Sequence, residues 1–194
     1  MAQDLRRLAV DNAPTKNMYA TNIVSDFWDI GSDLFRDRST LKTYFVRADI
    51  LDADSALNLV DDVTDVVYAG SVLHLFGWQK HVQACKRIVR TSCIDTMTVE
   101  CQMGRAVREA VEAKWRDGSN VYYHNVDNVE RLWRQIGEKI DSSWRVKAKL
   151  SNLKTLGLEK EDIAYMRPGN MLLQFVVTCR ADPKKLRTSR SEKI

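Results

Sequence analysis

Histidine and proline are scarce in this chain of 194 residues, three of each, and its four cysteines show no CxxC spacing. The three histidines (His74, His81, His124) and four cysteines (Cys85, Cys93, Cys101, Cys179) therefore assemble no zinc pattern. No apolar run approaches the roughly 18 residues that a membrane-spanning helix needs. The opening MAQDLRRLAV carries Asp4, Arg6 and Arg7 where a secretory leader would be apolar. A metal site, a membrane span and a secreted disulfide scaffold all lack support, and a cytoplasmic setting is the expectation. There the cysteines are free thiols. Cys85 falls on the apolar side of a helical pattern and Cys101 and Cys179 fall in strand-like runs, so buried thiols are the default.

Basic charge is also thin outside one segment. The net charge is +4, and residues 180–194 hold six Lys/Arg against two Asp/Glu, so this tail carries the whole excess. A nucleic-acid binder would carry its basic charge on a folded face; none is legible, and nucleic acid is not an expected partner. The division read from this is one domain over residues 1–180 and a basic, flexible tail over 181–194.

What is present is a soluble composition, 44% apolar and 29% charged, long enough for one domain with a real core. Leu5, Leu8 and Ala9 share a helical face. MYATNI reads as a short strand, and SDFWDIGSDLFRD as a helix with Ser25 at its cap and Phe27, Ile30, Leu34 and Phe35 facing inward. TYFVRADI is the next strand, followed by a short helix near Ala53–Val60, and DVVYAG is a third strand. Trp78, Val82, Cys85, Ile88 and Val89 mark one face of the following helix. DTMTVECQMG is a fourth strand, and residues 105–121 are polar and loop-like. NVDNVERLWRQIGEKI is a strong amphipathic helix capped by Asn125; SWRVKAKL and NMLLQFVVTCR are two last strands. Alternating strands and helices ending in a strand pair predict an α/β, Rossmann-like, mostly parallel sheet with a C-terminal antiparallel hairpin.

In such a sheet ligands lie beyond the C-terminal ends of the strands. Three junctions fall there: Asn22 in YATNI, Asp49 in RADILD, and Gly70, Ser71 and His74 in YAGSVLHLF. A carboxamide serves a sugar hydroxyl, a carboxylate accepts from an amine or hydroxyl, and glycine lets backbone approach a flat ring. Together they suit a nucleoside across a shared rim of strand tips. Each has a plainer reading: Asp49 as a helix cap, His74 as a packed histidine, Gly70 as a turn. Trp78 and Trp133 read as core, and Trp115 is the one tryptophan placed over the site.

The succession YATNI, FVRADILD, DVVYAGSVLHLFGW, CKRIVR, VECQMG, YYHNVDNVERLWRQIG and WRVKAKL resembles class I S-adenosylmethionine-dependent methyltransferases, in particular those of fungal terpenoid and polyketide secondary-metabolite clusters. The resemblance spans about Gln3 to Arg180. It implies a sheet with helices on both faces and S-adenosyl-L-methionine as cofactor. It places Thr21 and Asn22 at the ribose, Asp49 and Ile50 beside the adenine, and Gly70 and Ser71 near the methionine end, with His74 as the candidate catalytic base and no metal. Two departures stand out. The family's first strand and its glycine-rich turn precede the helix holding QDLRRL and have no counterpart here. Asn22 also replaces an acid, and a neutral acceptor holds a hydroxyl more weakly than an ionised one.

Loss of a central strand leaves neighbouring backbone groups unpaired, at about 1–3 kcal/mol for each one buried. A second copy or a partner chain completing the sheet is therefore an expectation. Three functions follow: methyl transfer to an oxygen or carboxylate of a small secondary metabolite; a repurposed isomerase or cyclase using groups such as His74, Glu100 and Tyr122; or an inactive, truncated remnant.

Overall fold

The structure is a computed structural model that describes residues 2–106, 111–114, 120–159, 161–164, 166 and 168–179. Trp115 and the basic tail over 181–194 lie outside the described residues. The chain divides into two compact units, Met1–Val60 and Asp61–Ile194.

The first unit holds helix α1 (Gln3–Val10), strand β1 (Tyr19–Asn22), helix α2 (Asp26–Phe35) and strand β2 (Tyr44–Arg47), and ends in a 3-10 turn over Ala56–Val60. β1 and β2 pair in parallel, with Tyr19 opposite Tyr44 and Asn22 opposite Arg47. A bidentate ion pair ties α1 to the chain after α2: Arg6 Nε donates to Asp37 Oδ2 at 2.6 Å and Arg6 Nη2 to Oδ1 at 3.0 Å. Ala48, Leu57 and Val60 form its buried cluster, with Val46 and Ile50 packed against them. The inward-facing stripe expected of α2 is not buried: Phe27, Ile30 and Leu34 are 49%, 52% and 62% exposed. Their helical spacing is right; Phe35, the fourth member of the stripe, is 43% exposed and lies beneath the Arg6 guanidinium at 4.5 Å. Nor does Ser25 cap α2. It has helical backbone angles and makes no side-chain cap bond; its hydroxyl turns to Asp26 instead.

The second unit holds β3 (Thr64–Gly70), helix α3 (Trp78–Thr91), β4 (Ser92–Arg105), β5 (Val111–Lys114), β6 (Asn120–Tyr123), helix α4 (Val126–Ile140), β7 (Trp144–Ser151) and β8 (Asn170–Cys179). Its sheet runs in the order β3-β4-β8-β7. β3 and β4 are parallel, whereas β8 inserts antiparallel between β4 and β7. The α/β class and the closing antiparallel pair are thus as expected. The described strands form three sheets rather than one, however, and among the described residues one edge of β1 and one edge of β3 carry no partner. The segment read as loop over 105–121 contains an antiparallel hairpin, β5–β6.

Period-two burial sets the core. Leu173, Phe175 and Val177 of β8 point to the same side as Thr96, Thr98, Glu100 and Gln102 of β4. Against that side lie Val82, Cys85 and Ile88 of α3 and Val129, Leu132, Trp133 and Ile136 of α4, all buried. Trp133 is core, as its helical position predicts; its ring lies 5.1 Å from that of Trp144. Asn125 caps α4, its Oδ1 accepting from the Asn128 N–H at 2.8 Å. Cys101 turns to the opposite face from Glu100 and Gln102 and is only half-buried, as is Cys179; of these thiols only Cys85 is buried. A register in which the polar residues of VECQMG face the helices is the reason.

Gly104 lets β6 close onto the end of β4. A Cβ there would stand 2.6 Å from the carbonyl oxygen of His124 and 2.8 Å from Cβ of Leu173, both hard contacts. The Arg105 N–H donates to that same carbonyl at 3.0 Å. Gly104→Ala should cost about 1–3 kcal/mol, the usual penalty for overpacking, read as a lower urea midpoint with an unchanged m-value.

Candidate functional site

The predicted residues divide between the units. In the first, Thr21 and Asn22 end β1, and Asp49 and Ile50 follow the end of β2, so all four stand at the C-terminal ends of two adjacent parallel strands. Asn22 and Asp49 shape the turns that leave these strands. Asn22 Oδ1 accepts from the Val24 N–H at 2.9 Å, and Asp49 Oδ1 from the Leu51 N–H at 2.8 Å. Beside them opens a pocket of about 250 Å³ lined by Ile23, Arg47, Ala48, Asp49, Asp52, Ser55 and Ala56. Ile50 packs into the apolar cluster, and the isoleucine lining the pocket is Ile23. Arg47 Nε donates to the Ile23 carbonyl at 3.3 Å, which braces one wall. Ile23, Asp52 and Ser55 were not foreseen; their only signal in sequence was proximity to the strand ends.

In the second unit, Gly70 ends β3 and Ser71 adopts a left-handed backbone, φ 55°, its N–H donating to the Cys101 carbonyl at 2.7 Å. This is a sharp turn made by a non-glycine residue, a conformation that costs energy and concentrates at functional positions. The Tyr68 side chain folds over Gly70, with Oη 2.6 Å from where a Cβ would be, so a larger residue there would have to push this half-exposed ring aside. His74 follows in a 3-10 turn over Leu73–Leu75.

The other two histidines pair in the same unit, and the charge of His74 reaches His81. His81, on the buried side of α3, and His124, between β6 and α4, share a hydrogen bond between Nδ1 and Nε2 at 3.0 Å. Their rings are edge-on at 4.5 Å. Trp78 and Tyr122 complete the cluster, with ring centroids 5.2 Å apart and each within 6 Å of His124. The Arg131 guanidinium lies 4.8 Å over the Trp78 ring and donates to the Tyr122 oxygen at 3.4 Å. Trp78, read as core, is instead a half-buried member of this aromatic wall.

Burial governs the electrostatics. It lowers His81 to about 3, helped by the charge of His74, and lowers His124 to about 2, helped by His81 and Arg131. His74 is also lowered by burial. At neutral pH all three rings are neutral, so each holds one donor and one acceptor nitrogen. Glu100 is fully buried and pushed well above its ordinary range by desolvation, hence a neutral acid, and it raises the neighbouring Cys85 thiol after burial has done most of that. Neither Glu100 oxygen and neither amide atom of Gln102 has a hydrogen-bond partner among the described residues, nor do His74 Nδ1, His81 Nε2 and His124 Nδ1. Orphaned buried groups at this density are rare in folded proteins. Their chemistry at neutral pH is that of uncharged hydrogen-bond donors and acceptors. Among the described residues no cluster of three or more His, Cys, Asp or Glu is arranged to hold a metal ion.

No protein-family model matches the chain. Its sequence relatives are fungal methyltransferases. It is 35% identical over 159 residues to the O-methyltransferase atr3 of Stereocaulon alpinum, covering 80% of this chain and 46% of that protein. It is 34% identical over 170 residues to the O-methyltransferase phiE of a fungal species, covering 86% and 53%. The chain thus spans about half the length of the curated relatives it matches. Among solved structures, a Burkholderia thailandensis 1,6-didemethyltoxoflavin-N1-methyltransferase with bound S-adenosylhomocysteine aligns at TM-score 0.64 and 10% identity, over 93% of this chain and 67% of that one. The [4+2]-cyclase SpnF aligns at TM-score 0.65 and 13% identity, over 93% and 71%. The fold is therefore that of the class I S-adenosylmethionine-dependent methyltransferases. Within that class, the chain is a relative of the fungal O-methyltransferases.

The buried acid and the buried bases pull stability in opposite directions with pH. Glu100 binds a proton more tightly folded than unfolded, so its contribution is complete below its ordinary 4.5 and is lost as pH rises toward its raised value. His81 and His124 bind protons more weakly folded, so stability falls as pH drops from their ordinary 6.5 toward about 3 and 2. Glu100→Gln should therefore gain stability relative to the parent between pH 5 and pH 8, by an amount that grows with pH. Urea titrations at both values measure it.

Proposed function

We propose that this chain carries out S-adenosylmethionine-dependent methyl transfer to an oxygen, hydroxyl or carboxylate, of a small secondary metabolite. The observation that carries the reading is its relationship to fungal O-methyltransferases over most of its length. The first-unit pocket supports it, because a nucleoside-sized opening with polar side chains lies at the C-terminal ends of parallel strands. In that unit Asn22 and Thr21 serve the ribose, and Asp49 with Ile50 behind it serves the adenine. In the second unit the Gly70–Ser71 turn serves the methionine end, as the family resemblance implies. Bound S-adenosylmethionine supplies an electrophilic methyl group. The protein's part is to hold the acceptor oxygen in line with it, which is mainly a matter of proximity and orientation.

His74 is the base for a hydroxyl acceptor. Its lowered proton affinity keeps it neutral at pH 7, and one ring nitrogen takes the hydroxyl proton as the methyl arrives. Trp78 and Tyr122 form an aromatic wall beside it for a flat or polycyclic acceptor. His74→Gln should lower kcat about 10²- to 10⁴-fold, the range for loss of a general base. It should leave binding of S-adenosylhomocysteine unchanged by calorimetric titration. No heat with millimolar S-adenosylmethionine on the parent chain would sink the methyl-transfer reading.

A second reading has its own support in the cyclase SpnF, which shares this fold. Neutral Glu100, Tyr122 and His74 form an acid/base set suited to isomerisation or cyclisation without methyl transfer. A gene deletion that accumulates a precursor with an unchanged methyl count favours it.

We also assign a protein partner, either a second copy or another chain that adds a strand. Support comes from the edges of β1 and β3 that carry no partner among the described residues and from the exposed Phe27, Ile30 and Leu34. The buried Cys85 thiol fits a reducing, cytoplasmic compartment. Among the described residues no helix is long and apolar enough to cross a membrane. Light scattering coupled to size exclusion should give a mass above 22.3 kDa or show capture of the partner on co-expression; a stable lone monomer overturns the assignment.

A further inference from the structure

One cation of the second unit lies against the aromatic wall instead of against an acid. Arg131 stands four residues after Asp127 on α4, the spacing at which an acid followed by a base pairs on a helix surface. The ion pairs among the described residues involve Arg6, Arg7, Arg38 and Arg87, and not Arg131. Its guanidinium is carried instead onto Trp78, 4.8 Å over the ring, and Nη2 donates to the Tyr122 oxygen at 3.4 Å.

An aromatic ring satisfies the face of a guanidinium, whereas the N–H groups lie in its plane and point along its edge. One of them makes a long bond to Tyr122; the Nε and Nη1 groups have no partner among the described residues. Arg131 is exposed at the margin of two half-buried rings, so this edge is open to a molecule lying against the wall. The wall also belongs with His74: β6, which carries Tyr122, packs against the 3-10 turn that holds this histidine. The charge of Arg131 adds to burial and to His81 in keeping His124 neutral. The complement of a stacked cation with an open N–H edge is a planar anion. A carboxylate meets the fork with two oxygens in one plane, and an aromatic ring that carries it can lie along Trp78 and Tyr122. An ammonium would be repelled, and a phosphate alone would gain nothing from the rings.

We propose that Arg131 selects an aromatic carboxylic acid as the small molecule this wall holds, its guanidinium edge pairing with the carboxylate. The assignment rests on the reading of the wall as the acceptor side of a methyl-transfer site, and it names the class of acceptor and the residue that discriminates it. An ester of the same acid keeps the flat ring and loses the charge, so the rings alone hold it.

Calorimetric titrations of the full chain at pH 7 with vanillate and with methyl vanillate, each with and without millimolar S-adenosylhomocysteine, test the assignment. The parent chain should bind the acid about tenfold or more tightly than the ester, the fold-change that one charge-assisted hydrogen bond supplies. Arg131→Gln should bring the two affinities within about threefold of each other. Its affinity for the ester and its melting temperature should stay close to the parent's, because the side chain is exposed. Arg134→Gln, which removes the same charge one turn along α4, should keep the preference and so separate the Arg131 edge from the general field of the helix. A parent chain that binds neither probe or shows no preference, Arg131→Gln keeping the full preference, or Arg134→Gln losing it equally would each overturn the inference; binding of S-adenosylhomocysteine would then still stand for the methyl-transfer reading. An Arg131-dependent preference in a chain that does not bind S-adenosylhomocysteine would instead sink methyl transfer and keep the carboxylate site.

Discussion

The second unit depends on one placement, the insertion of β8 between β4 and β7. A strand running against its neighbours pairs nine residues with β4 and eight with β7. Its alternate side chains Leu173, Phe175 and Val177 form the floor on which α4 rests. Parallel strands need long crossovers, and an antiparallel insert does not. The chain can therefore finish its sheet from one end without disturbing β3. Because β4 is held firmly on the β8 side, its last residues, 102–105, run on past the end of β3. Gly104 lies out there, and so does the approach of β6 that brings His124 to His81.

That arrangement has an energetic cost in polar groups. Thr96, Thr98, Glu100 and Gln102 occupy the side of β4 that the helices cover, where apolar residues would be cheaper. Threonines 96 and 98 are inexpensive; the Thr96 hydroxyl donates to the Thr64 carbonyl at 2.9 Å. Glu100 and Gln102 are expensive, and they lie toward the same end of the sheet as the histidines. Natural cores keep such groups where chemistry or recognition uses them. The exposed, hydrogen-bonded turns of the first unit work in the opposite way. Asn22 and Asp49 spend one oxygen each on the backbone, and the pocket beside them is shaped by the turns themselves.

Much of the fold was legible because long periodic segments leave little choice. The helix of NVDNVERLWRQIGEKI declared its buried face and its Asn125 cap, and the strands from TYFVRADI to NMLLQFVVTCR fell where β-branched runs predicted. The failures have physical causes. Alternation predicts which residues share a face but not which face is covered, so the thiols of Cys101 and Cys179 were expected inside. Helical spacing in SDFWDIGSDLF identified an apolar stripe without revealing that most of it stays exposed. Asn22, Asp49, Gly70 and His74 could be placed at strand ends because topology puts functional residues there. The pairing of His81 with His124 could not be read, since residues 43 positions apart meet only through tertiary packing.

The setting of Trp78 has an optical consequence. Its indole is half-buried, lies against Tyr122 and His124, and sits beneath the Arg131 guanidinium, whereas Trp133 is fully buried with the half-buried Trp144 against it. Any movement of the β5–β6 hairpin away from α3 would strip Trp78 of its quenching neighbours and change its intensity. Trp78 emission would therefore report displacement of that hairpin without any label.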